Sequence, residues 1–243
     1  EPLYASVVEI DARATPEGRV LRCPSADNLI VAMKALAKDV DSAAIVLLHG
    51  YAAPELEHEV ADAARRAGIG HVVCSHEAAA ELGMLARGDT AVVDAYLTPL
   101  LVDYLRELEA ELSGGSILLM QSSGDLAPAL QLRGPHAVLS GPAGGVIACS
   151  RIAEMVQLEQ VIGFDMGGTS TDVSLCPGEI QLAHEHKVGG IHLGVPSVDI
   201  HTVGAGGGSI AKLDMAGGLR VGPESAGANP ISFCFFLKKE CQD

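Results

Sequence analysis

Apolar positions recur at helical spacing through the first two thirds of the chain and at strand spacing near its end. Residues 2–10, Pro2-Leu3-Tyr4-Ala5-Ser6-Val7-Val8-Glu9-Ile10, read as a strand already in progress. Behind Pro24-Ser25, Leu29, Met33 and Leu36 fall at i, i+4 and i+7, which predicts a helix. Ala43 to Leu48 is a continuous apolar run, as expected of a strand covered on both faces. Pro54 suits the first turn of a second helix, in which Leu56, Val60, Ala63 and Ala67 share a face and Gly68 ends it. His71-Val72-Val73-Cys74 completes a strand–helix–strand unit with parallel pairing. A long helix is predicted over 89–112 with a broad apolar stripe from Val92 to Leu112, kinked or split at Pro99. Ser116 to Gln121 is the next strand. The Gly/Pro-rich segment Ser140-Gly141-Pro142-Ala143-Gly144-Gly145 then leads into a helix carrying Val146, Ile147, Ile152 and Met155. From residue 160 antiparallel strands take over: 161–165, a turn at 166–168, 169–175, 179–188, strands around 191–203, and 209–213. Glu57 and Glu59, on the second helix, read as a solvated face.

The segment Phe164-Asp165-Met166-Gly167-Gly168-Thr169-Ser170-Thr171-Asp172-Val173 carries the clearest chemistry. It places a carboxylate at a strand end, a turn with no Cβ atoms, and hydroxyls on the way out. Glycines let backbone N–H groups approach an oxyanion closely. Asp165 and Asp172 would repel a bare phosphate, so they imply a cation between themselves and it, and magnesium suits that role. An ordinary hairpin with a Gly-Gly turn is the alternative.

Composition narrows the classes. Sixteen Lys+Arg against 31 Asp+Glu give a formal net charge of −15, which argues against nucleic acid or an anionic membrane surface as partner. With 48% hydrophobic and 19% charged residues the chain is a folding one, and no apolar run reaches the roughly 18 residues of a membrane span. No signal peptide is read, and the six cysteines (23, 74, 149, 176, 234, 241) include no C-x-x-C pair, so a reducing, cytoplasmic setting is expected. Cys74, Cys149 and Cys176 are expected as small core residues. The chain opens at Glu1 without methionine, and three of its four Phe (233, 235, 236) and two of its Cys fall near the end. A fragment with an atypical tail at 231–243 is expected; a natural C-terminal strand is the alternative.

Asp165-x-Gly167-Gly168-Thr169-x-Thr171-Asp172 resembles a phosphate loop of the sugar kinase, heat-shock protein and actin superfamily. Together with Gln121-Ser122-Ser123-Gly124, Leu139 to Val146 and Val198 to Ile210, it is similar to the hydantoinase A / 5-oxoprolinase family, from Glu1 to about Pro230. That resemblance implies an α/β fold of ribonuclease-H-like, actin-like ATPase type, in a partial two-lobe architecture. Residues 1–88 would be the last part of the first lobe, and 89–230 the first part of the second, central domain. It implies ATP and Mg²⁺ as cofactors, and phosphoryl activation of a small cyclic amide (hydantoin, 5-oxoproline or similar lactam) before ring opening. A hydantoinase B-like partner subunit or domain and an oligomeric complete protein are implied too. The family opens with another such loop that this chain lacks, so the piece is expected to be inactive alone. Acetone carboxylase-like chemistry, a sugar- or acetate-type kinase, and a non-catalytic piece of a larger assembly stay open.

On this resemblance Asp165 and Asp172 are assigned to catalysis and magnesium, in part through water. Gly167, Gly168, Thr169, Ser170 and Thr171 are assigned to phosphate oxygens, and Gly204, Gly206, Gly207 and Gly208 to another part of the nucleotide. For the latter loop, close passage of two backbones is the alternative. Ser140, Gly141, Gly144 and Gly145 would bring an anion to a helix start, or else form a helix–sheet packing turn. Gln121 and Ser122, after a buried strand, would line the cleft, or serve turn chemistry alone. Asp199 and His201, two apart on one strand face, offer a second metal pair or a hydrogen-bonded one. His184 and His186 are read as alternating on a strand, away from metal.

Overall fold

The structure is a computed structural model that describes residues 2–112 and 115–226. Its elements, in chain order, are β1 (Arg13–Ala14), β2 (Val20–Arg22), α1 (Ala26–Leu36), β3 (Ser42–Ile45), α2 (Pro54–Arg66), β4 (His71–Cys74), α3 (Ser75–Ala78) and α4 (Met84–Glu111). There follow β5 (Leu118–Met120), β6 (Leu126–Pro128), α5 (Gly134–Ala137), α6 (Ser140–Met155), β7 (Val161–Met166), β8 (Thr171–Cys176), β9 (Leu182–Ala183), β10 (His186–Val188) and β11 (Ile191–Leu193). The last are β12 (Ser197–Val198), β13 (His201–Val203), β14 (Ser209–Leu213) and β15 (Leu219–Ser225). The chain folds into two compact units. The first holds the residues to Ser140 and Ala183–Ser197; the second holds Gly141–Leu182 and the chain from Val198.

In the first unit β3 and β4 pair in parallel, Ser42 beside His71 through Ile45 beside Cys74. One face is covered by α1 and α2, whose Leu29, Met33, Leu56, Val60, Ala61 and Ala64 pack with Ile45 and Cys74. The other is covered by α4 through Ala91 and Ala95 against Val73, Ala44 and Val46. The apolar run at 43–48 thus has the two-sided cover its composition calls for. Ser25 caps α1 by accepting the Asn28 N–H, and Pro54 sits in the first turn of α2, where its missing N–H costs no bond. Gly68 ends α2 with φ at +103°, a conformation that disfavours any side chain.

Several expectations are corrected. Residues 2–10 form no strand, because no neighbouring strand bonds them among the described residues; Val7 is exposed, and only Ile10 packs on the core. The long helix begins at Met84 and runs through Pro99 unbroken. The turn at Pro99 is fastened from outside: Thr98 Oγ1 donates to Asp94, accepts the Gly134 N–H at 2.8 Å, and Asp94 pairs with Arg133 at 2.6 Å. The buried side of α4 is half polar, with Arg87, Thr90, Asp94 and Thr98 inside beside Ala91, Val93, Ala95 and Leu105; of the expected apolar stripe Val93 and Leu105 are buried, whereas Tyr96, Leu100 and Tyr104 are exposed. The strand over 116–121 is shorter and has an unforeseen partner, β5 with β6. The single strand expected over 179–188 is two short ones, and His184 lies in the bend between them, so it shares no strand face with His186.

In the second unit β13, β8 and β7 form an antiparallel sheet, in that order, with α6 packed on it through Ala143, Val146, Cys176 and Val198. The Gly/Pro-rich segment is helical from Ser140 onward, because Pro142 lies in a first turn where no amide hydrogen is needed. A second hairpin, β14–β15, closes the described chain. Cys74 and Cys176 are buried and Cys149 half-buried, all as free thiols; burial pushes the Cys74 thiol up to about 12. No helix among the described residues is long and apolar enough to cross a membrane. The tail at 231–243 lies outside the described residues.

Candidate functional site

The hairpin β7–β8 positions the central motif. Its register sets Asp165 directly opposite Asp172, with Phe164 opposite Val173 and Met166 opposite Thr171. Directly opposed like charges are unfavourable on a sheet unless something positive lies between them. Asp172 is held in place by Thr202 of β13, whose Oγ1 donates to its Oδ1 at 2.6 Å. Asp165 faces α6: a Cβ built on Gly145 would stand 3.8 Å from its Oδ2. Both carboxylates line a hollow of about 330 Å³ walled by Pro142, Gly145, Phe164 and Ile200.

Between the strands, residues 167–170 form a turn closed by the Gly167 N–H donating to Ser170 O at 2.9 Å. The N–H groups of Gly168, Thr169 and Ser170 donate to no protein acceptor among the described residues. Three consecutive amide donors beside two carboxylates can take a phosphate oxygen and the cation that accompanies it. Thr169 and Ser170 lie in the turn, not on the outgoing strand. Thr171 is buried, and its hydroxyl donates to Ala205 O at 2.6 Å, fixing the neighbouring loop.

That neighbouring loop, 204–208, lies against the turn. Gly207 N–H donates to Gly167 O at 2.9 Å, Gly208 N–H to Gly168 O at 2.7 Å, and Gly206 N–H to Ser209 Oγ at 2.7 Å. A Cβ on Gly206 would stand 2.5 Å from Gly167 O, so only glycine lets the two backbones pass. The hydroxyl of Ser225 also donates to Gly168 O, at 3.0 Å. The second unit therefore brings together Asp165, Gly167 to Asp172, Gly204 to Gly208 and Gly145. Gly141 and Gly144 lie in the first turns of α6.

Gln121, Ser122 and Ser140 belong to the first unit. Ser122 is buried, and its hydroxyl donates to His136 O (2.7 Å) and accepts the Leu139 N–H (3.2 Å). Asp199 precedes β13 and donates its N–H to Gln181 O, while His201 opens the strand opposite Val173. Neither joins a group of three or more ligating side chains among the described residues.

A polar centre in the first unit has no counterpart in the sequence reading. Glu57, expected on a solvated face, is fully buried. It accepts the Leu47 N–H (2.9 Å) and Ser75 hydroxyl (2.6 Å) on Oε1, and the His76 N–H (3.1 Å) and Nδ1 (2.7 Å) on Oε2. Arg87, also buried, donates to Ser75 Oγ and to the carbonyls of Glu81, Leu82 and Leu47. His58 beside it bonds Glu77, and that hydrogen bond holds the Glu77 carboxyl below the usual carboxylate range. The signal for Glu57 was its spacing: Val60, Ala61 and Ala64, at i+3, i+4 and i+7, put it on the apolar face.

Comparison with known proteins places the chain. Residues 87–240 match Hydantoinase/oxoprolinase, and residues 1–68 match the Hydantoinase/oxoprolinase N-terminal region. The protein belongs to the hydantoinase/oxoprolinase family. Among its relatives, 5-oxoprolinase 1 of Arabidopsis thaliana is 38% identical over 96% of this chain and 20% of its own length. The crystal structure of ATP-dependent caprolactamase from Pseudomonas jessenii matches with a TM-score of 0.80 and 31% identity, covering 91% of this chain and 33% of that one. A nucleotide-free structure of acetone carboxylase, from work on ATP-dependent acetone carboxylation, matches with a TM-score of 0.74 and 26% identity over 90% of this chain and 32% of that one. The chain thus spans about one fifth of the length of the 5-oxoprolinase it matches.

Proposed function

We propose that this chain supplies one phosphate loop, and part of the wall, of an ATP- and magnesium-dependent enzyme that opens a small cyclic amide of the 5-oxoproline, hydantoin or lactam type. The observation that carries the reading is the turn at 168–170: three amide donors without a protein acceptor among the described residues, flanked by the opposed pair Asp165 and Asp172. The names of the relatives, 5-oxoprolinase and ATP-dependent caprolactamase, supply the reaction class. On this reading residues 1–88 end the first lobe of a ribonuclease-H-like ATPase and 89 onward begins the second, a division by family match (1–68 and 87–240) that differs from the compact units, which part at Ser140. A hydantoinase B-like partner subunit or domain completes the enzyme.

Bound magnesium-ATP supplies phosphoryl activation of an amide carbonyl that is otherwise a poor electrophile. The chain's own residues position it. Asp165 and Asp172 hold the cation, in part through water, with Asp172 kept in its rotamer by Thr202. Gly168, Thr169 and Ser170 offer amide hydrogens to phosphate oxygens, and Gly206 to Gly208 brace the turn from behind. Such transfer depends on positioning and charge neutralisation. Calorimetry on the complete protein should show magnesium-ATP binding that weakens at least ~10-fold in Asp165→Ala, or about 1.4 kcal/mol. Unchanged affinity removes the assignment. The acetone carboxylase likeness favours a second reading, ATP-dependent carboxylation. Phosphate release stimulated by acetone with bicarbonate, and not by 5-oxoproline or a lactam, would select it.

A further inference from the structure

The polar centre in the first unit has an outer rim. His76 points its Nδ1 at Glu57 Oε2, 2.7 Å away, and its backbone N–H bonds the same oxygen. Glu57 is fully buried and takes four donors, so it is a fixed acceptor. An imidazole whose Nδ1 proton is held by a carboxylate presents an unprotonated Nε2, the arrangement usual in metal-ligating histidines. Across from it stand His58 and Glu77. The His58 ring centroid is 4.8 Å from that of His76 with the planes 72° apart, and His58 Nε2 is 2.9 Å from Glu77 Oε1. One ligand atom from each of His58, His76 and Glu77 lies within 4.8 Å of the other two.

We propose that His58, His76 and Glu77 bind a divalent cation of the zinc class, with Glu57 as the residue that orients His76. Two imidazoles and one carboxylate are borderline ligands that suit zinc, and disfavour magnesium and calcium, which take oxygen. Tetrahedral zinc bonds of ~2.0–2.1 Å set ligand atoms about 3.4 Å apart; here they lie within 4.8 Å of one another, so modest side-chain rotation brings them to an ion. His76 is the fixed ligand, its side chain only 13% exposed; His58 and Glu77, 49% and 44% exposed, are free to pivot onto the ion. Three protein ligands leave the fourth position to water on the solvent side. The neighbouring set Glu57, Cys74 and His76 is not the site, since both Glu57 oxygens are filled and Cys74 is fully buried. A plain His58–Glu77 ion pair explains their approach to each other but not the His76 ring beside them, its centroid 4.8 Å from that of His58.

The inference is independent of the phosphate loop, which lies in the other unit. The test is zinc titration of the complete, chelator-stripped protein by calorimetry, with cobalt(II) as a spectroscopic probe. Wild type should bind one equivalent of zinc more than His58→Gln, and cobalt should give the visible absorption of a tetrahedral site that the variant lacks. His76→Ala should lose the same equivalent, Glu57→Gln should weaken it by roughly 10–100-fold, and Cys74→Ser should leave it intact. Circular dichroism identifies any variant that fails to fold; His58→Gln, at the surface, keeps the test open if the buried variants do fail. Equal zinc stoichiometry in wild type and folded His58→Gln would overturn the proposal, as would a wild type and variant with the same cobalt spectrum.

Discussion

At the scale of single residues, the chemistry lies in carboxylates whose surroundings differ. Asp165 and Asp172 face each other across a hairpin beside a hollow, an opposition that a bound cation would relieve. Glu57 is the reverse case: no further ion is needed, because four donors converge on it. Replacing Glu57 by alanine strands the Leu47 and His76 N–H groups and the Ser75 hydroxyl in the interior. The loss should be ~3–5 kcal/mol, as for other buried charged groups deprived of a partner, and Glu57→Gln, which keeps an acceptor, should lose less. Urea unfolding of both variants checks the order. The motif at 165–172 was legible because its residue types are unusual for a hairpin tip. Glu57 was not, because a glutamate on a helix is ordinarily solvated, and only the arrival of Ser75, His76 and Leu47 from elsewhere in the chain makes it an interior residue.

At the scale of elements, the turn at 167–170 depends on a second loop that braces it. Gly207 and Gly208 give their amide hydrogens to Gly167 and Gly168, and the missing Cβ of Gly206 allows the approach. Gly206→Ala would set a methyl group 2.5 Å from a backbone oxygen that cannot turn aside. It should destabilise the second unit by ~1–3 kcal/mol, the usual range for overpacking, read as a fall in its Tm, and weaken magnesium-ATP binding through the displaced turn. Ligand contact was the favoured reading of this loop in the sequence, with backbone packing the alternative; the backbone bonds it makes are packing ones. Helix α4 teaches a related lesson. Its apolar periodicity was read correctly as helix, but its inward face only in part: Val93 and Leu105 are buried, beside Arg87, Thr90, Asp94 and Thr98, which are satisfied inside by partners distant in sequence. Pro99 fails to break the helix for the same reason.

At the scale of the whole molecule, burial couples two histidines of the first unit to pH. Burial lowers the pKa of both His71 and His136, with Asp94 opposing the shift in each, and His71 Nε2 is enclosed without a hydrogen-bond partner among the described residues. A histidine whose folded pKa lies below its unfolded value near 6.5 takes up its proton first in the unfolded chain. Stability should therefore be full above that value and decline as the pH falls through it. Urea midpoints should be lower at pH 5.5 than at pH 7.5, and His136→Gln should shrink the difference; a flat profile in wild type would contradict it. By itself the sequence determined the α/β alternation, the parallel strand–helix–strand unit, the hairpin with its two carboxylates, and the family, because these depend on local periodicity and on motifs contiguous along the chain. Tertiary structure alone decided that Glu57 is interior, that His58, His76 and Glu77 gather, that Thr202 steadies Asp172, and that the glycines at 206–208 lean on those at 167–168. Each of these joins residues far apart in sequence, and which buried donor meets which acceptor is settled only when the chain closes on itself.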